Sequence, residues 1–216
     1  MKRLLHIQAS PRGARSRSDA IGLHFMERLQ AKVEDLDIVT LNVFDADLPP
    51  FDRAAIEGRY GLLIGEPVPP EQRGAWETLR TIADHFLSFD MWLFTVPMWN
   101  FGLPYRLKHY VDLVTHPGLT FRNDAQGNVE GLAAGRTAII IAASAMPFGA
   151  DPEIDALDFQ LSYLHAWLGF IGVTDVRSVR VAGTFGPDAM VEMVMKKARG
   201  DADLLVDQWE PRAARV

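Results

Sequence analysis

The chain has 216 residues, with 22 Lys and Arg against 28 Asp and Glu for a formal net charge of −6, and it contains no cysteine. A hydrophobic share of 48% beside 23% charged residues is ordinary globular composition, which excludes the charge-rich, apolar-poor signature of disorder. Without cysteine there are no disulfides, thiolate-held zinc or iron–sulfur centres, or cysteine nucleophiles, so redox chemistry here needs a bound cofactor.

The acidic balance speaks against nonspecific nucleic-acid binding. Met1-Lys2-Arg3 precedes an apolar run that stops at Gln8, too short for a signal peptide, and no later run is long enough to span a bilayer. A soluble cytoplasmic protein without membrane or nucleic-acid partners is the expectation.

Leu4 to Ala9 is a short apolar run closed by Ser10-Pro11-Arg12-Gly13, which predicts a buried first strand and a loop. Ile21, Phe25, Leu29 and Val33 recur every four residues and make one helix face. Asp37 to Phe44 alternates and is rich enough in β-branched residues for a second strand. Residues 51 to 75, rich in Gly, Pro and Glu, read as a helical turn plus a surface excursion inserted into the fold. Trp76 to Ser88 has helical spacing and leads into Met91 to Val96, a nearly continuous apolar run of the kind a central parallel strand needs. Pro104 suits the first turn of a helix carrying Leu107, Val111 and Val114, and residues 118 to 131 predict a hairpin around the polar stretch 123 to 127.

Arg136 to Ala143 is another fully apolar strand, followed by a loop over Ser144 to Asp151. A helix from Ile154 to Phe170, a strand over Val173 to Val181 and a helix from Asp188 to Trp209 end the series. Strand and helix alternate, so the expected class is α/β: one doubly wound, five-stranded parallel sheet in order 2-1-3-4-5, with residues 1 to 216 as a single domain. In the helix from Ile154, one apolar stripe is Ile154, Leu157, Leu161, Leu164 and Leu168; a second is Phe159, Tyr163, Trp167 and Phe170. Two apolar faces need two partners, the sheet and a second subunit, unless both form one broad buried face.

In such a sheet, ligands bind beyond the carboxyl ends of the strands. The loop after the first strand, Ser10 to Ser18, has three serines, three arginines and a glycine ahead of a helix. Free N–H groups at a helix start favour an anion such as a phosphate monoester; alternatively Ser16 or Ser18 is an N-cap and the arginines are solvated. Pro97-Met98-Trp99-Asn100-Phe101-Gly102-Leu103-Pro104 after the third strand reads as a stiff platform for a flat ring, or as a turn whose aromatics plug the sheet end. Ser144-Ala145-Met146-Pro147 follows the neighbouring strand and can close the other side. Neither G-x-x-x-x-G-K-[ST] nor G-x-G-x-x-G is present in the first loop, which disfavours a P-loop kinase or a dinucleotide site. His109, Asp112 and His116 have helical spacing, but further ligands for a metal are missing, so solvated or capping roles near a helix end are expected and no metal is assigned.

Taken together, Ser10 with Ser16-Arg17-Ser18, the run Pro97 to Pro104 with Leu107-Lys108 and Tyr110-Val111-Asp112, Gly118-Leu119-Thr120-Phe121 and Leu168-Gly169-Phe170-Ile171-Gly172-Val173-Thr174-Asp175 resemble the FMN-dependent NADH azoreductases and quinone reductases. That resemblance implies a flavodoxin-like homodimer. It implies that Ser10, Ser16, Arg17 and Ser18 hold the FMN phosphate, that Met98, Trp99, Asn100 and Phe101 hold the ring, and that Ser144 lies beside it. It also implies a ping-pong cycle in which NADH or NADPH reduces FMN and a quinone or azo compound is then reduced. The family usually has glutamine at Arg17, tyrosine at Trp99, a Gly-Gly pair after Ser144 and an aromatic at Asn123, and this chain departs at each. The alternative is a flavodoxin-type electron carrier or flavin-binding regulatory module without turnover. A receiver domain would need acidic residues where Ser10-Pro11-Arg12 stands.

Overall fold

Strands that are apolar on both faces require helices on both faces, and the computed structural model has that arrangement. It describes residues 2–53, 55–57, 69–149 and 151–209; much of the expected insertion, residues 58–68, lies outside them. The strands are β1 (Lys2–Gln8), β2 (Leu36–Asn42), β3 (Met91–Pro97), β4 (Phe121–Asn123), β5 (Val129–Gly131), β6 (Thr137–Ser144) and β7 (Asp175–Ala182). The α-helices are α1 (Arg17–Lys32), α2 (Arg73–Leu87), α3 (Tyr105–Val114), α4 (Pro152–Asp155), α5 (Phe159–Phe170) and α6 (Asp188–Asp207). A five-stranded sheet runs β2-β1-β3-β6-β7 with every pairing parallel, which is the expected 2-1-3-4-5 order once the β4-β5 hairpin is set aside.

Alternating residues of the central strands feed two cores. Leu5, Ile7, Trp92, Phe94 and Ile140 pack with Phe86 of α2, Leu107 and Val111 of α3, and Leu164 and Leu168 of α5. Leu4, Leu93, Ile139 and Ile141 pack with Ile21 and Phe25 of α1 and Met195 and Ala202 of α6 on the other face. Trp92 stacks on Phe86 with ring centroids 4.2 Å apart, and its indole N–H donates to the Phe86 carbonyl at 2.9 Å, so a large buried aromatic leaves no polar atom unpaired. Every residue of β6 is buried, as is β3 from Met91 to Val96, so their C-terminal ends form a firm floor for whatever binds there.

The helix expected from Ile154 to Phe170 is two helices. After the four-residue α4 the chain breaks, and the Asp158 side chain caps α5 by accepting the N–H groups of Gln160 and Leu161. A carboxylate that satisfies two N–H groups at once favours a new helix start over continuing the old one. The aromatic stripe divides as a result: Trp167 is buried and donates its indole N–H to Thr115, whereas Phe159 is 58% and Phe170 39% exposed.

The hairpin forms where expected. Asp124 accepts the N–H groups of Gln126 and Asn128 across its turn, and Gly127 has φ +85°. It is held close to the end of α5: a Cβ on Gly131 would lie 2.1 Å from the Gly172 nitrogen, so only glycine fits that crossing.

Candidate functional site

The C-terminal ends of β1, β3, β6 and β7 converge on one cleft, whose walls include Ser10, Ser16, Arg17, Ser18, Met98, Trp99 and Ser144. Seven of the nine residues singled out in the sequence are therefore neighbours in space. Asn100 and Phe101 sit on the turn beyond the cleft wall. Arg12, Pro97, Ala143, Ala145 and Thr184 complete the lining.

On one side is the loop from β1 to α1. Ser10, Ser16 and Ser18 are 2%, 3% and 0% exposed, and Arg12 and Arg17 are exposed at its rim. Ser16 is the N-cap of α1: its Oγ accepts the Asp19 N–H at 3.3 Å and lies 3.2 Å from Ser18 Oγ. The capping reading and the anion reading are thus compatible, because a hydroxyl that caps a 16-residue helix also lies at the positive end of its dipole. Ser10 Oγ accepts the Arg12 N–H at 3.3 Å and fixes the loop's first bend.

The opposite side is the turn after β3. The Met98 N–H donates to the Ala143 carbonyl at 2.7 Å, which ties this loop to β6. Trp99 and Gly102 exchange two backbone hydrogen bonds of 3.0 Å, enclosing Asn100 and Phe101 at φ +47° and +68°. Positive φ at both central residues defines a tight reversed turn; Asn tolerates it and Phe does not, so strain is stored beside the cleft. The turn is braced from outside, since the Phe159 N–H at the start of α5 donates to the Phe101 carbonyl at 3.1 Å. Trp99 leans on Phe44 and Tyr105, with ring centroids 5.6 and 6.4 Å away, yet stays 37% exposed.

Ser144 closes the third side. Its hydroxyl donates to the Met146 carbonyl at 2.8 Å, and its own carbonyl accepts both the N–H and the hydroxyl of Thr184. Thr184 carried no signal in its own motif. Its place is readable only from sheet order, since β7 lies beside β6.

Behind the serine loop lies a buried polar line: His6 Nε2 is 3.0 Å from Thr95 Oγ1, and the Thr95 hydroxyl donates to the Asp19 carboxylate. Burial pushes His6 down to about 4 and raises Asp19, whose hydrogen bonds from Thr95 and Ser16 pull the other way. The lowered His6 value gives a pH dependence with a definite sign. Between its ordinary 6.5 and about 4, the unfolded chain binds a proton that the folded one does not, so stability falls as pH falls through that window. The displacement corresponds to about 3 kcal/mol at pH 4. Asp19 contributes the opposite slope, so urea unfolding of the native chain at pH 7 and pH 4.5 should be compared with His6→Gln. The variant is expected to lose less stability than the native chain on acidification; equal losses would refute this.

The expected solvated His109-Asp112-His116 cluster is corrected in part. His116 is fully buried between Phe51 and Trp76, 5.4 Å from the Trp76 ring, while Asp112 pairs with Lys108 at 2.6 Å. Among the described residues no group of three or more acidic, His or Cys side chains is arranged to hold a metal ion, and no helix is long and apolar enough to cross a membrane.

The cleft thus has hydroxyls and the start of a helix on one side, chemistry that suits an anion, and aromatic and apolar groups on the other, chemistry that suits a flat ring. Comparison with known proteins points the same way. Residues 2–204 match a family model described as having a flavodoxin-like fold. The chain is 37% identical over 216 residues to FMN-dependent NADH:quinone oxidoreductase 3 of Pseudomonas fluorescens, covering 98% of this chain and 99% of that one. It is 40% identical to the FMN-dependent NADH:quinone oxidoreductase of Nitratidesulfovibrio vulgaris, over 87% and 90% of the two chains. Among solved structures, an FMN-dependent NADH-azoreductase from Bacillus anthracis in complex with FMN superposes with TM-score 0.80 at 25% identity, over 95% of this chain and all of that one. Another B. anthracis azoreductase gives TM-score 0.85 at 21% identity over 97% and 100%, which is a likeness of fold.

Proposed function

The chain belongs to the flavodoxin-like family of FMN-dependent NADH:quinone oxidoreductases, and from that membership we propose the chemistry of its cleft: oxidation of NADH and reduction of a quinone or azo acceptor on bound FMN. The observation that carries this reading is the union in one cleft of the Ser10, Ser16 and Ser18 hydroxyls with Met98 and Trp99. FMN, when bound, supplies a ring that takes up a hydride from NADH and passes it to the acceptor. The protein's part is to hold and orient it. Ser10, Ser16, Ser18 and Arg17 would receive the phosphate, where uncharged hydroxyls, cationic guanidinium and the α1 dipole all favour negative charge. Met98 and Trp99 would flank the ring from the cleft wall, Asn100 and Phe101 would hold it from the turn beyond that wall, and Ser144 would limit it on the β6 side. No acid–base dyad is needed for hydride transfer, which agrees with a cleft wall of hydroxyl, guanidinium and apolar groups.

The same reading takes residues 1 to 216 as one FMN-binding domain of a cytoplasmic homodimer. What supports the dimer is a set of uncovered aromatics: Phe159, Phe101 and Tyr105 near the site are 58%, 42% and 67% exposed, and Phe170 at the other end of α5, against Phe121, is 39% exposed. Sedimentation at micromolar concentration is expected to give twice the 24.1 kDa chain mass; a monomer would refute the assembly. Relatives named as oxidoreductases favour turnover over an electron carrier. Steady-state NADH oxidation with a quinone separates the two. Sustained acceptor-dependent turnover is expected, and a single stoichiometric oxidation would support the carrier.

A further inference from the structure

Beyond the phosphate cradle the surface runs on into a groove of about 330 Å³, between the first turn of α1 and the first three turns of α6, which the proposed function leaves unused. Arg17 belongs to both: it lines the cradle cleft on one side and this groove on the other. Along α6, Asp188, Glu192, Met195 and Arg199 recur every three or four residues, so they share one face and span about 16 Å of helix. The floor is apolar, since Ala20 packs against the cluster that holds Val191 and Met195, which are only 6% and 4% exposed. The walls carry both signs of charge. Among the described residues no ion pair joins Arg17 or Arg199 to Asp188 or Glu192, and all four side chains are exposed, so cations and carboxylates alike are open to a ligand.

An exposed aromatic stands at the junction. Phe185 is 87% exposed, more than any other large hydrophobic side chain among the described residues, and it sits in the chain between Thr184, which lines the cradle cleft, and Asp188, which lines the groove. A phenyl ring left in water beside two clefts gains by covering a second flat ring. We propose that the cleft accepts FAD as well as FMN, with the flavin phosphate in the serine cradle and the adenylate half in the groove between α1 and α6.

The order of groups leading away from the cradle matches the order of groups in an adenylate. Arg17 comes first, and a planar guanidinium with five donors can serve the cradle phosphate and the phosphate joined to it. Asp188 and Glu192 follow on the first two turns of α6. An ionised carboxylate only accepts, so the pair suits the two hydroxyls of a ribose and repels a free phosphate or a second monoester. The apolar floor at Val191 and Met195 then offers a flat surface to a purine, with Arg199 at its far end to stack on the ring. An apolar ligand would leave all four charges without a partner. The adenylate of NADH has the same chemistry, and what favours FAD is continuity: the groove begins at the residue that also lines the phosphate cleft.

This rests on the proposed FMN site, so the test separates the two. The apoprotein is titrated by flavin fluorescence with FMN and with chromatographically pure FAD, and the bound flavin is released and identified. FAD is expected to bind at least as tightly as FMN, because the adenylate adds contacts and removes none. Glu192→Ala and Phe185→Ala change exposed side chains outside the residues assigned to FMN. Each is expected to raise the FAD Kd about tenfold without raising the FMN Kd. The KM for NADH of FMN-loaded Glu192→Ala is expected to match the native value. A raised KM for NADH with unmoved FAD affinity would give the groove to the hydride donor and overturn the inference. Weaker binding of FAD than of FMN by the native chain, or an FAD Kd unmoved in either variant, would also overturn it, and each of these results leaves the FMN site standing. Failure of the native chain to bind either flavin would overturn the site and this inference together.

Discussion

Ser18→Asp is expected to raise the FMN Kd about a thousandfold while changing riboflavin affinity less than about threefold. Ser18 is fully buried in the cradle wall, one residue inside the start of α1. A carboxylate there would lie about 4 Å from the phosphate, and two like charges at that distance cost about 4 kcal/mol at the effective dielectric of a protein site. That is about three decades in Kd. The riboflavin comparison makes the result specific. A variant that merely unfolds loses both ligands, whereas one that only rejects negative charge loses FMN alone. Fluorescence quenching titrations with both flavins read the difference, and a variant that keeps native circular dichroism yet changes its affinity for the two flavins equally would remove the cradle from Ser10 to Ser18 as the phosphate site.

The second large effect is expected far from the cradle, at Asp158. Its carboxylate caps α5 and forms an ion pair with Arg180 of β7, with side chains only 16% and 21% exposed. Arg180 also donates to the Gln160 side chain at 3.3 Å, and Gln160 donates in turn to the Val96 carbonyl at 2.9 Å, next to the Pro97 that begins the platform. Asp158→Ala removes a helix cap worth about 1 kcal/mol and leaves a partly buried guanidinium without its carboxylate, worth about 3 kcal/mol more. Urea unfolding of the apoprotein should show a loss of about 4 kcal/mol. The loss should reach the site, because the adjacent Phe159 N–H holds the Phe101 carbonyl of the strained turn. FMN affinity is therefore expected to fall about tenfold in Asp158→Ala protein that is still folded, a coupling of about 1.4 kcal/mol. Loss of stability with unchanged FMN affinity would show that the brace does not support the turn.

How far the sequence foretold this structure depends on how local each cause is. β3 and β6 were legible because burial on both faces writes an unbroken apolar run, and their order followed from the alternation of strands and helices. The split between α4 and α5 was hidden: apolar spacing through Leu157 and Leu161 reads as one helix, and only the double acceptance by Asp158 cuts it. Serines, arginines and the aromatic turn could be grouped from the strand ends that carry them. Phe101 at φ +68° could not be foreseen, since Phe is a poor residue for that conformation and is held there by α5. Likewise Asp19 reads as an ordinary first-turn acid. Its contact with Thr95 joins residues 76 positions apart and depends on α1 lying directly over β3 at Gly22, where a Cβ would meet the Thr95 methyl.

The chemistry proposed for the cleft is hydride transfer from NADH to a quinone on bound FMN. An anaerobic visible spectrum of the FMN-reconstituted, gel-filtered protein tests it most directly, recorded before NADH, after one equivalent of NADH, and after one equivalent of benzoquinone. The expected result is a yellow protein with one FMN per chain, whose absorbance near 450 nm is bleached by NADH and restored by the quinone. A protein that emerges colourless, or whose bound FMN keeps its colour in the presence of NADH, would contradict it.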